Sequence, residues 1–365
     1  MNITIVAGAR PNFMKIAPII EAIEKKGELG LNIDYRLVHT GQHYDKNLSD
    51  TFFKELHIPF PDINLNVKSG TQAEQTAAIM ISFEKDLQEN PCDLVIVVGD
   101  VTSTMACAIV AKKACIEVAH IEAGIRSGDM TMPEEINRIV TDSLTDYFFT
   151  TSTYANENLK GLGISDNQIF FVGNVMIDTL FKNEPRFKPP KIWSELELKE
   201  KQYLVLTLHR PSNVDEEEQF VALLNQIITL SQNYPVIFSV HPRTRKIIEN
   251  LYLNFKNLHL INPLGYLEFN YLVKNSLAVL TDSGGITEEA TVMSVPCITL
   301  RDTTERPETC EIGTNILVGN NPEKIAKAFK KLFSGNWKQG QVPELWDGRS
   351  AERIVNHLIE IFKVK

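Results

Sequence analysis

Short runs of β-branched and apolar residues, separated by longer amphipathic stretches, constrain this chain more than any other feature. Strands are predicted at Ile3–Ala7, Ile33–His39, Asp93–Val98, Glu117–Ile121 and Tyr147–Thr150. A second series follows at Tyr203–Leu208, Val236–Val240, Leu258–Ile261, Ala278–Thr281 and Cys297–Thr299. The run Leu94-Val95-Ile96-Val97-Val98 has no polar alternation, which suits a strand of a parallel sheet covered on both faces. Strand–helix alternation over the whole length implies an α/β fold with open sheets. The pattern breaks at 182–201, which holds Pro185, Pro189, Pro190 and many charges and is expected to be a linker. It would divide two doubly wound, Rossmann-like domains over 1–181 and 202–349, the count that 365 residues suggest at roughly 150 per domain. A helix is predicted over 350–365, with Ile354, Leu358 and Ile361 at helical spacing. Two such domains put a ligand cleft between them, at the carboxyl ends of their strands.

Composition narrows the classes of partner. A formal charge of −9 argues against nucleic acid and anionic membrane surfaces. It leaves room for an anionic ligand if Arg and Lys cluster locally. No apolar run approaches the roughly 18 residues of a membrane span, and the N-terminal run is too short for a signal peptide. The five cysteines have no C-x-x-C spacing, so reduced thiols and a cytoplasmic location are expected. With no H-E-x-x-H, Cys/His cluster, G-x-G-x-x-G or Walker lysine motif, neither metal nor cofactor is expected.

The residues just past the predicted strands are rich in chemistry. Gly8-Ala9-Arg10-Pro11 with Lys15 puts a glycine turn and two cations at a helix start, suited to an anion or to a solvated basic turn. His39-Thr40-Gly41-Gln42-His43 sets two histidines on a glycine turn. Asp100 follows Val98-Gly99, where helix N-capping is the structural alternative. His120-Ile121-Glu122-Ala123-Gly124-Ile125-Arg126 precedes Pro133-Glu134-Glu135-Ile136-Asn137-Arg138, in which Glu134 and Arg138 share a helical face. Asp100, Glu122 and Glu134 thus fall on consecutive strand-to-helix junctions of one sheet, where paired acids exchange protons. In the second half, His209-Arg210 and His241 end strands. Asp282-Ser283-Gly284-Gly285 lets backbone N–H groups approach a phosphate at a helix start, and Glu289 lies about one turn further in. Arg301 to Pro307 concentrates charge after another strand.

In this order and over residues 3 to about 320, these motifs resemble the non-hydrolysing UDP-N-acetylglucosamine 2-epimerases. The resemblance implies a glycosyltransferase-B-like pair of domains, with the helix at 350–365 packed back on the first. It implies acid/base carboxylates in the first domain, a UDP-binding second domain, and a UDP-sugar substrate. The implied reaction inverts C2 by eliminating and re-adding UDP through a 2-acetamidoglucal. Asp100, Glu122 and Glu134 would be the acid/base groups, and His209 the proton donor to the leaving diphosphate. Arg10, Ser283, Gly284 and Gly285 would hold phosphates, and Glu289 the ribose. Lys15, Arg138 and Arg306 would supply positive charge, and Tyr266 would stack on uracil. Gln42, His43, Arg210 and His241 match positions of a second UDP-sugar site, although Lys46 stands near the place of that site's second glutamine. A homodimer is also implied. Alternatives are a hydrolysing relative releasing N-acetylmannosamine, an epimerase of a diacetamido-sugar, a glycosyltransferase, and a silent UDP-sugar binder.

Overall fold

The apolar run Leu94–Val98 becomes the centre of a parallel sheet, with no residue more than 1% exposed. The computed structural model describes residues 1–41, 53, 55–240, 242–250 and 255–365; of residues 10, 211, 212, 242, 243, 249 and 250 it describes the backbone alone. The chain divides into one unit of Met1–Lys182 with Glu344–Lys365, and a second of Asn183–Pro343.

In the first unit the strands are β1 (Asn2–Ala7), β2 (Asp34–His39), β3 (Ile63–Asn64), β4 (Leu94–Val98), β5 (Glu117–Ile121), β6 (Tyr147–Thr150) and β7 (Ile169–Phe171). Their order is β3-β2-β1-β4-β5-β6-β7, with every pairing parallel. The order reverses between β1 and β4, the switch point where ligands of such sheets bind. Phe83 and Leu87 of helix Gln72–Glu89 and Cys107 and Val110 of helix Thr102–Lys113 pack with Val95 and Val97 on one face.

The second unit repeats the plan with β8 (Leu204–Thr207), β9 (Val236–Ser239), β10 (Leu258–Ile261), β11 (Ala278–Thr281), β12 (Cys297–Thr299) and β13 (Asn315–Leu317). The parallel order is β10-β9-β8-β11-β12-β13, with the switch between β8 and β11. β3, β7 and β13 were not expected from sequence. Each is an edge strand of two or three residues, too short to make an apolar run.

The stretch expected to link the domains is folded within the second unit. Residues Lys191–Glu195 form a helical turn, and Ile192, Trp193 and Leu196 pack on the cluster around Tyr203. The C-terminal segment completes the first unit. Trp346, 1% exposed, donates from Nε1 to the Thr151 carbonyl at 3.0 Å. Helix Ser350–Phe362 packs on helix Arg10–Glu28 and begins on the Asp178 carboxylate, which accepts from Ser350 and Ala351 N–H at 3.1 and 2.7 Å. Gly173, at φ +90°, is needed there, because a Cβ would sit 2.1 Å from the Leu345 carbonyl oxygen. Among the described residues no helix is long and apolar enough to cross a membrane.

Candidate active site

At the switch point of the first sheet, helix Arg10–Glu28 starts directly after the Gly8-Ala9 turn. Buried Asn12 ties that turn down. Its Oδ1 accepts from Gly8 and Ala9 N–H, and its Nδ2 donates to the Val98 carbonyl at the end of β4. Lys15, one helical turn on, is thereby aimed across the end of β4. Its Nζ lies 2.6 Å from Glu122 Oε2, and the two side chains are 13% and 3% exposed. Gly99, at φ +70°, leaves room for this pair, since a Cβ would come within 3.3 Å of Lys15 Nζ. Glu122 also has a positive φ, +70°, uncommon for a residue with a side chain. Its N–H donates to the Phe149 carbonyl.

Asp100 does not cap the next helix, whose N-cap is Val101. Its Oδ2 instead accepts from the Arg138 guanidinium at 2.5 Å, and its backbone carbonyl accepts from Asn137. Arg138 is 3% exposed, whereas Asp100 is 32% exposed. The other end of the guanidinium meets Glu135 at 2.7 Å. Burial alone would raise the Glu135 pKa, but the Ser127 and Gly128 N–H groups and Arg138 lower it. Glu134 is half-buried on the first turn of helix Pro133–Asp142. From sequence, Lys15 and Arg138 are expected to present charge to the ligand. In the structure each neutralises a carboxylate of the same site.

Beneath these groups lies an arrangement without a sequence signature. His120 and Asp142 are fully buried. Nδ1 of His120 lies 2.7 Å from Asp142 Oδ1, and Nε2 lies 2.8 Å from the Gly99 carbonyl oxygen. Asp142 Oδ2 also meets the Gly124 N–H at 3.1 Å and Arg126 at 2.7 Å. Burial would raise the Asp142 pKa, but His120 and Arg126 bring it below the ordinary value.

The second sheet carries a histidine–aspartate pair at its own switch point. His209 Nδ1 lies 2.7 Å from Asp282 Oδ1; the aspartate is fully buried and the histidine 58% exposed. Asp282 also accepts from the N–H groups of His209 and Arg210 and from Asn213 Nδ2. Burial is outweighed, and the Asp282 pKa is lowered, chiefly by His209. The carboxylate fixes the ring tautomer and leaves Nε2 as the nitrogen that exchanges a proton. Ser283 N-caps helix Gly284–Val292 without a side-chain capping bond. The N–H groups of Gly284 and Gly285 have no partner inside the helix by its geometry, and helix starts of this kind suit anions in general. A Cβ at 284 would lie 3.1 Å from Glu305 Oε1, so a larger residue there would make that side chain shift. Glu305 is itself paired with Arg301 at 2.5 Å and lies 3.8 Å from Arg210.

One turn into the helix, Glu289 is 4% exposed and accepts from the Tyr266 hydroxyl at 2.7 Å. Burial, with Glu288 nearby, pushes its pKa up to about 7 against the lowering effect of Tyr266. Tyr266 is 7% exposed, so it has little ring face to offer a base, and the expected uracil stacking is replaced by support of Glu289. Arg306, expected to face the ligand, is buried and paired with Glu288. Gln42, His43 and His241 lie outside the described residues, as does the side chain of Arg10. Among the described residues, no group of three or more His, Cys, Asp or Glu side chains is placed to hold a metal ion.

Asn12, Glu135, His120, Asp142 and Asp282 were not singled out from sequence. For Asp282 a signal existed, since it follows β11 at the second switch point much as Asp100 follows β4 at the first.

Known proteins are similar to this chain in sequence and fold. The family model for UDP-N-acetylglucosamine 2-epimerase matches residues 26–359. A UDP-N-acetylglucosamine 2-epimerase of Methanocaldococcus jannaschii is 44% identical, over 98% of this chain and 99% of that protein. A crystal structure of the M. jannaschii UDP-GlcNAc 2-epimerase in complex with UDP-GlcNAc and UDP superposes with a TM-score of 0.88 at 43% identity, covering 99% of this chain and 100% of that one. A UDP-2,3-diacetamido-2,3-dideoxy-D-glucuronate 2-epimerase of Pseudomonas aeruginosa is 37% identical over 99% of this chain and 100% of its own length. The two parallel α/β units, with the sequence and fold they share with these proteins, define a class of sugar-nucleotide enzyme. Within that class the chain belongs to the UDP-N-acetylglucosamine 2-epimerase family.

Proposed function

We propose that the protein interconverts UDP-N-acetylglucosamine and UDP-N-acetylmannosamine without hydrolysis. The C2 proton of a sugar is not acidic, so removal must be coupled to departure of a leaving group. A base takes the C2 proton while the C1–O bond to UDP breaks, leaving a 2-acetamidoglucal and UDP. Re-addition of UDP at C1, with protonation of C2 on the opposite face, gives the epimer. Asp100, Glu122 and Glu134 supply the proton acceptor and donor. Lys15 and Arg138 hold Glu122 and Asp100 in place by ion pairing. In the second unit, Ser283, Gly284 and Gly285 hold the diphosphate, Glu289 the ribose, and His209 protonates the leaving oxygen through Nε2. Arg10 adds charge to the phosphates.

The observation that carries this reading is the pair of carboxylates at the ends of β4 and β5, each held by its own cation. UDP-N-acetylglucosamine incubated in deuterated water and followed by NMR tests it. Deuterium at C2 and a mixture of the two UDP-sugars are expected. Free N-acetylmannosamine would point to the hydrolysing chemistry, and an unchanged substrate would overturn the assignment. The Pseudomonas relative favours a second reading, a UDP-2,3-diacetamido-glucuronate substrate, which the same assay with that sugar decides. We further infer a cytoplasmic homodimer, to be read by light scattering and cell fractionation. Gln42, His43, Arg210 and His241 would form a second UDP-sugar site, seen as sigmoidal substrate dependence.

A further inference from the structure

Two of the proposed acid/base groups, Asp100 and Glu122, lie on different turns, yet one buried pair reaches both. Asp142 receives His120 Nδ1, the Gly124 N–H and Arg126, residues two before, two after and four after Glu122. It thus brackets the turn that holds Glu122 at φ +70°. The opposite nitrogen of His120 reaches the Gly99 carbonyl, the peptide that leads into Asp100. The two ring nitrogens thus face two different oxygen atoms, one on each side of the ring. The pair is 0% exposed and so out of reach of any substrate. We propose that His120 and Asp142 are positioning residues that act as one unit, setting the placement of Glu122 relative to Asp100. This inference rests on the epimerase reading, in which those two carboxylates are among the acid/base groups that work on one carbon. For such a step the separation of acid and base matters, and a misplacement near 1 Å costs on the order of 100-fold in rate.

The two arms of His120 can be cut separately. In His120→Asn the amide nitrogen stands near the place of Nδ1, keeping the bond to Asp142 and losing the one to Gly99. In His120→Gln it extends toward the place of Nε2, keeping Gly99 and losing Asp142. Each is expected to lower kcat by about 100-fold while KM for UDP-N-acetylglucosamine and Kd for UDP stay within about twofold. Asp142→Asn is expected to match them, and His120→Asn/Asp142→Asn to fall no further than either single variant. A kcat within threefold of wild type, a loss appearing in KM instead, or losses that multiply in the double variant would overturn the proposal. So would failure of both His120 variants to fold, because the pair would then serve stability and not geometry.

Wild-type protein that leaves UDP-N-acetylglucosamine unchanged defeats the epimerase reading instead. The clamp is then read from crystal structures of His120→Asn and Asp142→Asn. A shifted Gly99 carbonyl in the first and a Glu122 displaced from φ +70° in the second are expected. Unmoved turns would overturn it.

Discussion

At the scale of single residues, four cations near the strand ends are committed to carboxylates. Lys15 holds Glu122, Arg138 holds Asp100 and Glu135, Arg301 holds Glu305, and Arg306 holds Glu288. Removing one charge of such a pair leaves the other uncompensated in a poorly solvated place. Asp100→Asn and Glu122→Gln are each expected to lower turnover by about 10²–10⁴-fold, with UDP binding by calorimetry little changed. Retained turnover in both would remove them from the mechanism. Glu289 offers a pH signature. Its carboxyl, pushed up to about 7, becomes a full acceptor of ribose hydroxyl bonds as it ionises. Affinity for UDP-N-acetylglucosamine, whose diphosphate diester does not titrate there, should therefore rise as pH passes about 7. The Tyr266 hydroxyl favours the ionised form, so Tyr266→Phe should move that midpoint upward. Titration calorimetry between about pH 5.5 and 8.5 reads both effects.

At the scale of elements, helix starts carry much of the design. Helix Gly284–Val292 leaves its first N–H groups for an anion, while helix Ser350–Phe362 has its own satisfied by Asp178. Burial pushes Asp178 up to about 6, against the bonds from Ala351 and Ser350. A carboxyl whose pKa is higher folded than unfolded favours the folded state most below the unfolded value. That contribution is lost as pH rises through the folded value. Asp178 thus adds stability below about pH 4 that disappears by somewhat above pH 6. Asp178→Ala should flatten thermal stability across that window and, above it, cost about 1 kcal/mol for the lost cap. Melting curves from pH 4 to about 8 measure both.

At the scale of the whole molecule, the first unit is discontinuous. It is closed by Glu344–Lys365, while Asn183–Pro343 forms the second without a break. Loss of Trp346 alone is worth roughly 3–5 kcal/mol, a large part of the 5–15 kcal/mol of a typical domain. A chain ending at residue 343 is therefore expected to expose its first unit to protease. The fragment 183–343 should fold alone and keep UDP binding. Circular dichroism, limited proteolysis and calorimetry on the two decide it, and a protease-resistant first unit in the truncated chain would refute the expectation.

The sequence alone determined where the strands run and what stands at their ends. Strands β5, β6, β10, β11 and β12 lie where they are predicted, because most of their residues are apolar or β-branched and face the sheet's packing partners. Asp100, Glu122, His209 and Ser283–Gly285 were legible for the same reason, as they interrupt the apolar text at strand ends. The short edge strands were not legible, since half-exposed residues need not be apolar. Nor were the pairings. Lys15 and Glu122 are 107 residues apart, His209 and Asp282 73, and Asp100 and Arg138 38. Nothing in Ile139-Val140-Thr141-Asp142 announces an acid that holds His120, Gly124 and Arg126. These contacts exist because the strand orders bring the ends of β1, β4 and β5 side by side in the first sheet, and those of β8 and β11 in the second. Local patterning specifies each strand, but which strand ends become neighbours is decided only when the sheet assembles.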